Sequence, residues 1–82
     1  MFDLEKELGE SIRYYRMTLP KNQRSQNKVG KKIGVSGQQI KHYENGRGKI
    51  TLDRLFALAK VFGVSVTKIL PKQLKGDKND SE

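Results

Sequence analysis

Gly34-Val35-Ser36 separates two short apolar patterns and constrains the chain more than any other stretch. Before it, Val29 and Ile33 lie one helical turn apart behind Ser25, a good N-cap residue. After it, Ser36 caps a second pattern in which Ile40 and Tyr43 face inward, and Asn45-Gly46 stops that helix. Gly34 suits a left-handed terminator because glycine enters positive φ without a steric penalty. Three residues are too few for the two helices to lie antiparallel, so they must cross steeply, with Val35 plugging the gap. The same Gly-Val-Ser recurs at 63–65, where the chain turns apolar at once. After the first copy come Gly37, Gln38 and Gln39. One helix is therefore built to close a core and the other to present a polar edge.

The rest of the chain reads as helices around this pair. Leu4, Leu8, Ile12, Tyr15 and Leu19 recur at steps of three and four, with Asp3 as cap and Pro20 as stop. Residues 20–24 form a polar connection. Thr51 caps a fourth helix carrying Leu52, Leu55, Phe56, Ala57, Leu58, Ala59, Val61 and Phe62, expected to be the most buried of all. It should be held by the first, second and fifth helices. Gly63 ends it, and Ser65 caps a short fifth helix from Val66 to Leu70, stopped by Pro71. No useful period-2 alternation interrupts this pattern. The fold class is all-α: a compact five-helix bundle over residues 1–70, its crossed pair at about 25–46, followed by a polar tail at 71–82 expected to fray. With 82 residues and no cysteine, the bundle must rely on packing alone.

Charge then narrows the partners. The formal net charge is +8, and residues 21–50 hold eight basic side chains against Glu44 alone. Any one lysine is most simply part of a solvated face, but this concentration favours a polyanion. The acidic N-terminus does not resemble a secretory signal, and no run is long enough to span a membrane, so a cytoplasmic, nucleoid-associated protein is expected.

Together, SQNKVGKKIGVSGQQIKHYENGR, LGESIRYYR and LDRLFALAKVFGVSVTKIL resemble phage-repressor-type (Cro-like, XRE-like) helix-turn-helix DNA-binding domains over roughly residues 8–70. The resemblance implies the lambda-repressor-like fold, with the third helix in the major groove of operator DNA and usually two copies per operator. It places base reading on Gly37, Gln38, Gln39, Lys41 and His42. Glutamine matches the N6/N7 edge of adenine. It places phosphate contacts at Gln26, Lys28, Asn45, Arg47 and Lys49, with Gln26 also bracing the reading helix. Gly37 lacks the side chain that the family often uses for one base contact. Arg24 replaces an aliphatic residue, the 17–24 connection is about three residues longer than is common in the family, and Leu19 is expected to supply the apolar anchor. Gly30 replaces a usual alanine, which costs on the order of 1 kcal/mol of helix propensity.

The expected function is a sequence-specific double-stranded DNA-binding transcriptional regulator, a repressor, acting as a homodimer. Val66, Ile69, Leu70 and Leu74 are the apolar candidates for the dimer contact, unless the bundle's own core occupies the first three. Alternatives are the antitoxin subunit of a toxin–antitoxin pair, with a toxin as partner, or a protein-interaction adaptor with loose nucleic-acid affinity. No nucleophile with a base, carboxylate pair or phosphate-cradling loop points to catalysis, and neither a metal nor another cofactor is expected. Glu44 is expected to bracket the helix end or to pair with a nearby Lys or Arg, Tyr43 to be core, and Tyr14 to be surface.

Overall fold

A computed structural model describes residues 3–71. Five α-helices follow in order: α1 Leu4–Met17, α2 Gln26–Ile33, α3 Gly37–Glu44, α4 Leu52–Phe62 and α5 Val66–Ile69. A single 3₁₀ turn, Lys21–Gln23, lies in the connection between α1 and α2. No strand occurs among the described residues.

Local chemistry sets most of these boundaries. The side chains of Asp3, Ser25, Ser36 and Thr51 each accept the backbone N–H three residues on, which satisfies an orphan donor of the first turn. Gly34 and Gly63 close α2 and α4 at φ of 82° and 73°, where a side chain would be strained. α5 departs from expectation. The Ser65 side chain makes no cap hydrogen bond and shares a hydroxyl contact with Thr67 instead, and the helix stops one residue early, at Ile69.

Leu8, Ile12, Val29, Ile40, Tyr43, Leu55, Leu58, Ala59, Phe62 and Ile69 form one buried cluster drawn from all five helices. Leu4, Tyr15, Leu19, Val35, Val66 and Leu70 lean on it, so Leu19 and Val35 take the anchoring places expected of them. The ring of Tyr15 stacks on Phe62, while Tyr14 stays outside. The expectation for α4 is corrected at two residues: Leu52 and Phe56 are 67% and 54% exposed. They share one flank of the helix, beside the Leu55, Leu58, Ala59 and Phe62 stripe that enters the core. Leu74 and the tail from residue 72 lie outside the described residues.

Two glycines bring helices closer than any side chain permits. A β-carbon on Gly30 would lie 2.6 Å from the Val35 carbonyl oxygen and 2.9 Å from that of Ser36. A β-carbon on Gly9 would lie 2.3 Å from the Tyr43 carbonyl oxygen, so α1 rides directly on the C-terminal end of α3. The alanine usual at position 30 therefore requires the turn leading into α3 to stand farther from α2 than it does in this chain. Gly30→Ala should gain about 1 kcal/mol in helix propensity yet lose about 1–3 kcal/mol to overpacking. A net loss of stability is expected in equilibrium urea unfolding. A higher midpoint would mean that the helices separate freely.

Candidate nucleic-acid interface

The polar edge of α3 is built from its inner side outward. Ile40 and Tyr43 are sequestered in the core at 0% and 1% exposure, which fixes the rotation of the helix about its axis. That phase leaves Gln38 and Lys41 exposed, with Gln39 and His42 half-buried at the margins. The Gln38 amide reaches within 3.5 Å of the His42 ring, one turn along, so these two side chains form one continuous surface of donors and acceptors.

Gly37 is not on that edge. It is buried, and a β-carbon there would sit 1.9 Å from the Asn27 side-chain oxygen and 3.0 Å from the Asn27 Cα. Its missing side chain makes room for α2. The expectation that Gly37 stands exposed among the base-reading positions is corrected in this respect.

A buried polar network ties the crossed helices to α1. Glu44, at the end of α3, forms a salt bridge with the Arg16 guanidinium, and their side chains are only 4% and 11% exposed. Arg16 Nη2 donates to Glu44 Oε1 at 3.1 Å alongside its Nε contact, so both carboxylate oxygens are held. Arg16 Nη1 also donates to the Arg24 carbonyl at 2.6 Å, just ahead of α2. Gln26 Nε2 donates to the same Glu44 oxygen at 3.1 Å. Four contacts thus lock α1, the entry to α2 and the end of α3 into one rigid corner. Glu44 takes the ion-pairing place expected of it, and Gln26 braces α3 through it.

The residues singled out for phosphate contact divide by environment. Asn45, Arg47 and Lys49 are exposed around the turn after α3. Gly46 turns there at φ 71°, and the Arg47 N–H bonds back to the His42 carbonyl at 2.9 Å. Lys28 is exposed but folds its ammonium onto the Asn22 carbonyl. Gln26 is half-buried in the Glu44 network. Sequence reasoning overlooked Arg16, Asn27 and Arg54, the last of which donates from Nη1 to the Tyr43 hydroxyl at 3.0 Å. Arg16 and Glu44 are 28 positions apart, and no local spacing signals such a pair. Among the described residues there is no His, Cys, Asp or Glu group able to hold a metal ion, and no helix long and apolar enough to cross a membrane.

Comparisons with known proteins agree with this architecture. A family model described as helix-turn-helix matches residues 12–69. An uncharacterized transcriptional regulator in the ATPase CF(0) region of Rhodospirillum rubrum is 34% identical over 70 residues. That match covers 85% of this chain and 62% of the relative, so the chain spans less than two-thirds of the relative's length. Hydroxypropylphosphonic acid epoxidase from S. wedmorenis superposes with a TM-score of 0.74 at 21% identity, over 87% of this chain and 36% of the enzyme. Apo-HppE gives 0.72 at 22% identity, over 83% and 36%. Likeness at that identity concerns the fold alone. The match over residues 12–69, which takes in α2, the Gly34–Ser36 turn and α3, places the protein in the helix-turn-helix family, of the XRE-like type.

Proposed function

We propose that the chain is a sequence-specific double-stranded DNA-binding transcriptional regulator of repressor type, with α3 lying in the major groove. The observation that carries this reading is the exposed edge of α3, Gln38 and Lys41 flanked by Gln39 and His42, on a helix locked in phase by its buried side. Family membership and the regulator named among the relatives support it from outside the geometry. The surrounding segment supplies the charge, with eight basic residues against one acidic over 21–50. Base edges are read by groups such as the Gln38 amide, and phosphates are neutralised by Arg47 and Lys49, which carry no sequence information.

Selection of bound sites from random duplex DNA supplies a preferred sequence for the test. Gln38→Ala should weaken that site by about 1–3 kcal/mol, the value of one good base contact, and leave random duplex nearly unchanged. Arg47→Ala should weaken both alike. Equal losses on both DNAs for Gln38→Ala would remove its reading role.

One module covers few base pairs, so the working species is proposed to be a homodimer on a near-palindromic site, its two reading helices about 34 Å apart. Of the apolar residues considered for the contact, Ile69 is fully buried in its own bundle, and Val66 and Leu70 lean on the same core. This favours pairing on the DNA over a preformed dimer. Sedimentation should give a monomer alone and two proteins per duplex on the site. One protein per duplex with an asymmetric footprint would end the dimer reading.

A further inference from the structure

We propose that Arg54, in the first turn of α4, is an additional phosphate-binding residue and that the Tyr43 hydroxyl positions it. The inference rests on the DNA-binding reading above and extends its interface to a fourth helix. Arg54 Nη1 donates to the Tyr43 hydroxyl at 3.0 Å, and the guanidinium has four further N–H donors to satisfy. Among the described residues the salt bridge is Arg16 with Glu44, and Arg54 has no carboxylate partner. A cation in the first turn also opposes the helix dipole, so helix stability does not account for it.

Packing ties this guanidinium to the edge of α3. Tyr43 lies one turn beyond Gln39 on the same side of the helix. Gly48 covers both: a β-carbon on it would stand 3.6 Å from the Gln39 amide nitrogen and 3.8 Å from the Tyr43 ring. Tyr43 is buried at 1% exposure, and its hydroxyl accepts from the half-buried Arg54. Arg47 and Lys49, both exposed, flank Gly48. Two exposed cations thus sit on the loop that packs against the Tyr43 ring, and a third is held at the hydroxyl of that same ring. The ligand suited to them is a phosphodiester of the DNA backbone, with the Arg54 fork giving two hydrogen bonds to one phosphate.

The test is the salt dependence of affinity for the selected duplex and a random one. Wild type, R54Q, R54K, Y43F and K60Q are compared, with thermal unfolding recorded for each. K60Q removes one exposed charge from α4 away from the loop. R54Q should weaken both duplexes alike and reduce the log–log salt slope by about 0.9, the contribution of one phosphate. The wild-type advantage over R54Q should therefore shrink about 3.5-fold between 50 and 200 mM salt. R54K should keep the slope, Y43F should move toward R54Q, and K60Q should match wild type. A steep wild-type slope that R54Q leaves unchanged, or an equal fall in R54K, would overturn the inference and leave the DNA reading intact. A wild type without salt-dependent duplex binding would remove both.

Discussion

Glu44→Ala is expected to destabilise the domain by about 3–5 kcal/mol, the usual consequence of removing one partner from a buried ion pair. The magnitude follows from what remains. The Arg16 side chain, only 11% exposed, would keep the Arg24 carbonyl and lose its counter-charge. Gln26 would lose the acceptor for its amide as well. Set against a total stability of roughly 5–15 kcal/mol for an ordinary domain, such a loss leaves little reserve. Urea unfolding measures it directly. Replacing both ends with apolar residues, Arg16→Met with Glu44→Leu, should recover most of the loss, because a well-packed apolar pair avoids the desolvation of two charges. A Glu44→Ala midpoint within about 0.5 kcal/mol of wild type, the range of an ordinary surface change, would show that the network contributes nothing.

That network also marks where the sequence stops being legible. Caps and stops are written locally: Asp3, Ser25, Ser36 and Thr51 act on amides three residues away, and Gly34 and Gly63 act on their own φ. Hence the number and order of the helices can be read from the chain, as can the outward set of Gln38 and Lys41 on α3. Contacts between distant segments leave no such signature. Gly9 looks like an ordinary helix interior until α3 is seen lying against it, and Gly37 looks like a missing base contact until Asn27 is seen beside it. The pairing of Arg54 with Tyr43 depends on how the loop brings α4 back past α3. α4 misleads for another reason. Eight of its eleven residues are apolar, so periodicity cannot select the buried stripe, and only packing puts Leu52 and Phe56 outside.

The same helix supplies the second large effect. Leu58→Ala should cost about 2–5 kcal/mol, since the side chain is fully sequestered in the cluster that joins the five helices and its loss leaves a cavity. Leu52→Ala makes the same chemical change six residues earlier, at a position 67% exposed, and should stay within about 0.5 kcal/mol. The contrast isolates burial from composition, because both leucines lie in one helix and lose the same atoms. Melting temperature amplifies it, at roughly 4–8 °C per kcal/mol for a domain of this size. Leu55, 4% exposed, should follow Leu58. Comparable drops for Leu52→Ala and Leu58→Ala would place α4 in a different rotation, with its Leu52 and Phe56 flank also buried. An unchanged melting temperature for Leu58→Ala would remove this helix from the centre of the fold.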